Sequence, residues 1–350
     1  MKRFVFIVQG EGRGHLSQAL AMMQIVEKTG GRVEAVYAGC SRGNALPEYF
    51  VRTISDKLRI YKAPGFIPDR RQTGVKMLRT FIRNFFLIPV FLKQIKALSS
   101  EIVSLSPDTV INFYEINGAL AMRRFPSSIR RIAVAHHFWY SHPDAVLPGG
   151  FPLQRRLLQW HNRIVIRSSD IVLALSFRPA KDSGSISIVP PLIADEVRAL
   201  NRKTGSADLA YFLYPGFADR FIKNTENIPG YQADIFITGD RKPVVPDGIT
   251  IHKLDRKQFV FLLAGCRYLV TTAGFETVAE AAYLGVPVLT VATGNHFEQE
   301  CNALDMQLAG IGMTSAKPDP GELTDFVPGK HADFKEWADK AFVIISNRLS

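Results

Sequence analysis

The chain has 350 residues, 47% of them hydrophobic and 21% charged, which excludes a disordered or low-complexity protein and, at this length, sets an expectation of two domains. Its formal net charge of +11 is unevenly placed: residues 1–200 hold 28 Lys and Arg against 14 Asp and Glu, while residues 201–350 hold 15 against 18. The amino-terminal excess suits an anionic partner, either acidic lipid head groups or nucleic acid, and competes with the plainer reading of a surface kept basic for solubility.

Cys40, Cys266 and Cys301 form neither a metal-ligand spacing nor an even disulfide framework. They read as reduced thiols. Lys2-Arg3 lead directly into a strand and not into an apolar leader, so a cytoplasmic protein is expected. That strand is the apolar run Arg3 to Val8, and the turn Gln9-Gly10-Glu11-Gly12-Arg13-Gly14-His15 follows it. Leu16 to Lys28 reads as a helix stopped by Gly30-Gly31. Glycines at such a turn let the backbone approach a ligand closely. Their spacing is not the dinucleotide fingerprint, and no acidic residue closes the next strand, Val33 to Ala38, which disfavours a nicotinamide cofactor. His15 is a candidate general base, since an imidazole with a pKa of about 6.5 needs little tuning.

From Arg70 the chain is basic and apolar together. Lys76, Arg79 and Arg83 fall on one helix face while Met77, Leu78, Phe81, Ile82, Phe85, Phe86, Leu87 and Ile88 crowd the others, and Pro89 breaks or kinks the helix. The run Phe85 to Leu92 is far short of the roughly 20 residues that span a bilayer, but it fits a segment lying on a membrane surface. A core helix with a solvated basic edge is the competing reading. Strands follow at Thr109 to Phe113 and Ile129 to His137, then a helix from Leu153 to Ser168 and a strand from Asp170 to Leu175. His136, His137 and His142 have no carboxylate frame, and neighbouring strand residues point to opposite faces. Acceptor contacts, and no metal, are expected there.

Ser183-Gly184-Ser185 and Pro190-Pro191 mark a crossover. The expected division is residues 1–185, residues 186–332 and a terminal helix within 333–350. In the second half, Leu209 to Tyr214 leads to Pro215-Gly216-Phe217, and strands at Asp234 to Thr238 and Gly248 to His252 precede a helix from Lys257 to Cys266. Next come a strand (Tyr268 to Thr272), Gly274, a helix ending at Gly285, a buried strand (Val286 to Val291) and the polar run His296 to Ala303. The helix start at Gly274 offers free N–H groups and a positive dipole end to a diphosphate. Glu276 and Glu280 share a helix face, where a carboxylate can accept two ribose hydroxyls.

Ala273-Gly274, Thr277-Val278-Ala279-Glu280, Gly285-Val286-Pro287 and Gln299-Glu300-Cys301-Asn302-Ala303 together resemble the donor-nucleotide site of the GT-B glycosyltransferases. The likeness is nearest to the MurG-like, family-28-like branch that makes lipid-linked sugars. It implies an α/β fold of two Rossmann-like doubly wound domains facing a central cleft, with the terminal helix packed back on the first domain. It places Glu280 on the ribose and Gln299 and Asn302 on the sugar, with Gly216, Gly274, Glu276, Thr277 and His296 completing the donor side. The loop Gly10 to His15 resembles the acceptor-side loop of the same enzymes, so Gly12, Gly14, His136 and His137 join His15 there, with Lys76, Arg79 and Arg83 as a membrane-facing edge. Two departures stand out. Pro215-Gly216-Phe217 replaces a glycine- and serine-rich diphosphate loop, and Pro190-Pro191 is followed by Leu192-Ile193 instead of an arginine.

The expected activity is inverting and metal-independent, there being no Asp-x-Asp pair to hold a cation on the phosphates. A sugar would pass from a nucleotide diphosphate sugar, UDP-linked by family majority, to a hydroxyl acceptor, with no further cofactor. The candidate acceptor is a membrane lipid or polyisoprenoid-linked sugar on the way to a cell-envelope glycoconjugate, met at the anionic inner face of the membrane by a peripheral enzyme. A nucleotide-sugar epimerase of the same fold is the alternative within enzymes. A non-catalytic basic protein binding nucleic acid or membrane is the alternative outside them, and its nucleic-acid form is disfavoured because no recognition motif is present.

Overall fold

The structure is a computed structural model that describes residues 1–41, 46–65, 67, 77–212, 215–226, 228–237, 243–291, 296–323 and 331–350. Seven strands make the first sheet: β1 (Arg3–Gln9), β2 (Arg32–Cys40), β3 (Leu58–Lys62), β4 (Thr109–Phe113), β5 (Arg130–Ala135), β6 (Ile171–Leu175) and β7 (Ile186–Val189). They lie in the order β3-β2-β1-β4-β5-β6-β7, and every ladder is parallel. The second sheet holds β8 (Asp208–Phe212), β9 (Ala233–Ile237), β10 (Ile249–His252), β11 (Leu269–Thr272), β12 (Val288–Val291) and β13 (Met313–Ser315), ordered β10-β9-β8-β11-β12-β13 and again all parallel. Parallel sheets carry helices on both faces, which is why β1 is buried without a break from Phe4 to Val8 and all of β4, β11 and β12 are buried.

The helices are α1 (Gly14–Lys28), α2 (Glu48–Ile54), α3 (Met77–Phe86), α4 (Ile88–Ser104), α5 (Ile116–Met122), α6 (Pro152–Ile166), α7 (Asp195–Arg198), α8 (Pro215–Thr225), α9 (Arg256–Gly265), α10 (Phe275–Tyr283), α11 (Phe297–Leu308), α12 (His331–Asp339) and α13 (Ala341–Leu349). In each sheet the strand order reverses at one place, between β1 and β4 and between β8 and β11. Such switch points open a crevice at the carboxyl ends of the strands, where open α/β sheets bind ligands. The two crevices decide where the site lies.

Two features differ in detail from the sequence reading, and a third decides between its alternatives. The first sheet runs on past residue 185 to take in β7, so the chain passes between sheets only after Pro190-Pro191. Of the two outcomes expected at Pro89, a break or a kink, the structure has the break: Pro89 sits in the first turn of a new helix, where its missing N–H costs nothing, and Leu87 caps it. The terminal helix is two, α12 and α13, joined at Lys340. Both return to the first domain: Trp337 Nε1 donates to Ser176 O at 2.9 Å, Arg348 meets Asp182 at 2.5 Å, and Lys2 Nζ reaches Leu349 O at 3.2 Å. Among the described residues no helix is long and apolar enough to cross a membrane.

Candidate active site

The turn after β1 needs a left-handed residue, and Gly12 supplies it at φ +87°. The chain then enters α1 at Gly14, which sets His15 in the first turn, buried against Tyr114 and His137. His15 Nδ1 lies 3.1 Å from Gln18 Oε1, and Gln18 Nε2 donates to Glu276 Oε1 at 2.7 Å. This chain of groups joins α1 to the first turn of α10 across the cleft. It also fixes a tautomer. An ionised carboxylate only accepts, so the Gln18 amide nitrogen must face Glu276 and its oxygen must face His15. With Glu276 ionised, His15 therefore carries its proton on Nδ1, leaving Nε2 as the basic atom. Burial, with His137 and His136 nearby, pulls the His15 pKa well below its ordinary value, so the ring is neutral at physiological pH. The tuning is larger than the sequence reading supposed. Burial pushes Glu276 the other way, up to about 8.

At the end of β4, Tyr114 holds a left-handed backbone (φ +60°), rare for a bulky residue, and its ring is stacked between His137 and His161 at centroid distances of 4.0 and 4.2 Å. His137 in turn lies 5.2 Å from the His15 ring. His136 and His137 are not strand residues pointing apart. They open a 3-10 turn, His136–Ser141, whose tighter winding brings both rings to one side. Each Nε2 lies 3.3 Å from Oε1 of Glu298 in the first turn of α11. Phe275 stacks on His136 at 4.7 Å and on Phe177 at 4.4 Å. Residues of the two domains thus meet beside the His15 ring.

On the donor side Gly274 is exposed and caps α10 with no side chain over it, leaving first-turn N–H groups open. Gly285, at φ +74°, stops the helix one turn past Glu280. The Glu280 carboxylate is buried and held bidentately by Arg256, at 2.5 and 2.8 Å, and Arg256 also binds Glu196 at 2.7 Å. Each oxygen keeps a second lone pair for another donor. Asn302 does not reach into the cleft. Its Nδ2 donates to Ala273 O at 2.8 Å and its Oδ1 accepts from Tyr140 OH, so it braces the glycine turn from below. Gln299 is buried in α11, while Thr277, Gly216 and the α11 cap His296 are half-buried. Gly216 lies in the first turn of α8, so a helix start stands where a diphosphate loop was missed. Arg79 is exposed and Arg83 half-buried on α3; Lys76 lies outside the described residues.

Two facing switch points, one with a buried imidazole and one with an open helix start, suit transfer between two substrates. The model of the family described as Glycosyl transferase family 1 matches residues 2–329. The chain belongs to that family. An uncharacterized glycosyltransferase of Methanosarcina acetivorans is 24% identical over 353 residues, covering 89% of this chain and 83% of its own length. Two solved structures share the fold of this family 1 member. The UGT2 of Phytolacca americana, complexed with UDP-2-fluoroglucose and pterostilbene, gives a TM-score of 0.65 at 14% identity over 97% of this chain and 95% of its own. The MurG of Acinetobacter baumannii gives 0.61 at 16% identity over 99% of both. The fold is therefore GT-B, and the enzyme is a glycosyltransferase. Gln18, Arg256 and Glu298 of this transferase escaped the sequence reading. Gln18 had a signal, lying three residues after His15 and hence on its helix face.

Proposed function

We propose that this glycosyltransferase inverts the anomeric centre, moving a sugar from a UDP-sugar to an acceptor hydroxyl with His15 as general base and no cation on the diphosphate. The observation that carries the reading is the chain His15–Gln18–Glu276, which leaves Nε2 of the buried His15 as the proton acceptor once Glu276 is ionised. The acceptor oxygen attacks the anomeric carbon as its proton passes to Nε2, and the bond from that carbon to the diphosphate breaks. The leaving oxygens gather charge at the α10 start, where the N–H groups beside Gly274 and the helix dipole oppose it. Glu280, positioned by Arg256, accepts from the ribose hydroxyls, and Gln299 and His296 line the sugar. The UDP assignment draws support from the bound UDP-sugar analogue of the Phytolacca americana enzyme.

Calorimetric titration of UDP, GDP, ADP and dTDP tests the donor side. UDP is expected to bind tightest, and Glu280→Ala to weaken it by about 1.5–3 kcal/mol, the range for hydrogen bonds to a charged group. Unchanged affinity in a variant whose circular dichroism matches the parent would remove Glu280 from the site.

The acceptor is proposed to be membrane-borne. The start of α4 and the end of α3 leave Phe85, Phe86, Ile88 and Leu92 exposed, Phe86 by 74%, beside the exposed Arg79. An apolar face edged by arginine fits an anionic leaflet, to which each cation near the surface contributes about 1 kcal/mol. Co-sedimentation with anionic vesicles should fade with salt and be lost in an Arg79→Glu/Arg83→Glu/Phe86→Ser variant. Equal partitioning onto neutral and anionic vesicles, or none onto either, points to a soluble acceptor.

A further inference from the structure

The transfer chemistry leaves His136, His137 and Glu298 without a task. Both imidazoles are buried, and their Nε2 atoms converge on one carboxylate oxygen, each at 3.3 Å. The approach does not use up their polar atoms: both nitrogens of His136 and Nδ1 of His137 have no hydrogen-bond partner. Buried polar atoms left in this state call for a missing water or ion. The two 3.3 Å separations match the spacing an ion needs. A tetrahedral shell with bonds of about 2.0–2.1 Å to imidazole nitrogen and carboxylate oxygen has edges of about 3.3–3.4 Å between its donor atoms. One donor atom from each of the three residues lies within 4.8 Å of the others. The Glu298 side chain is 34% exposed, which gives an ion both a path in and an open fourth position.

We propose that His136, His137 and Glu298 form a site for a first-row divalent transition-metal ion, with Zn²⁺ the fitting probe, and that the ion ties the two domains together. Two imidazoles and a carboxylate are borderline donors suited to this class and not to Mg²⁺ or Ca²⁺. The histidines follow β5 in the first domain and Glu298 opens α11 beside the second, so filling the site bridges the cleft. The His15 ring is 5.2 Å from that of His137 and 6.1 Å from that of His136. A bound ion therefore excludes the acceptor and holds the enzyme shut. This inference stands apart from the proposed transfer mechanism, because the ion is read out without substrates.

The test uses the full chain stripped with a chelator and then dialysed against Zn²⁺ or Co²⁺. One Zn²⁺ per chain by metal analysis, and intense visible ligand-field bands of four-coordinate Co²⁺, are expected. Glu298→Gln, isosteric and partly exposed, keeps the fold and should lower Zn²⁺ affinity at least about tenfold, since even losing a partner behind a metal ligand costs 10–100-fold. His136→Ala should do the same. Zn²⁺ should also raise the melting temperature of the parent but not of Glu298→Gln. No bound Zn²⁺, the weak bands of six-coordinate Co²⁺, or equal affinity in Glu298→Gln overturns the proposal and leaves the triad to a substrate hydroxyl.

Discussion

Replacing His15 with alanine is expected to lower turnover by about 10²–10⁴-fold while nucleotide affinity barely moves. General bases act in the transition state, and His15 stands on α1, in the domain opposite the donor residues of α10 and α11. Gln18→Leu tests the same chain one link back. It keeps the His15 ring in place but removes the acceptor at Nδ1, so the tautomer with a basic Nε2 loses its support. Its turnover should fall while KM for the donor stays near the parent value. Steady-state kinetics and UDP titration on both variants separate the cases. Lost donor binding with unchanged turnover would mean that the roles of the two domains are reversed.

How much of this could be read from the sequence follows from how local each feature is. β1, its glycine turn and α1 were legible because a buried parallel strand is a continuous apolar run and a left-handed turn needs glycine, here Gly12. The segment Leu269 to Asn302 was legible as strand, turn, helix and strand for the same reasons. What was lost was partnership across sequence. Gln18 and Glu276 are 258 residues apart and Arg256 meets Glu280 from another helix, so no spacing rule finds either pair. His136 and His137 were misread through one local error. The apolar run of β5 was extended by two residues, and alternation then sent the rings apart, whereas the chain had already turned into a 3-10 helix. Asn302 illustrates a different limit. A motif names a residue near a ligand without saying which atom it touches, and here the amide is spent on Ala273 and Tyr140.

Glu276→Gln is expected to make the protein more stable at high pH and less active. Burial raises the Glu276 carboxyl to about 8 in the fold, with Glu280 adding to the rise and Gln18 and Arg256 opposing it. The unfolded chain loses this proton near the ordinary carboxylate value of 4.5. Between those two pH values the native state holds a proton that the unfolded state has released, so stability falls as pH rises through the window. The full effect, present above pH 8, corresponds to at most about 5 kcal/mol. Glutamine has the same shape and no charge to bury, so denaturant titrations of parent and variant should agree near pH 4.5 and diverge steadily toward pH 9, with the variant ahead. The same carboxylate, once ionised, fixes the Gln18 amide and through it the basic nitrogen of His15. The parent's kcat/KM should therefore rise through about pH 8, and the variant, whose amide lets Gln18 turn over, should lose that rise along with most of its turnover. Parallel stability curves at all pH values would show that Glu276 is ionised in the fold at little cost. A variant with full activity and an unchanged pH profile would separate the carboxylate from the work of His15.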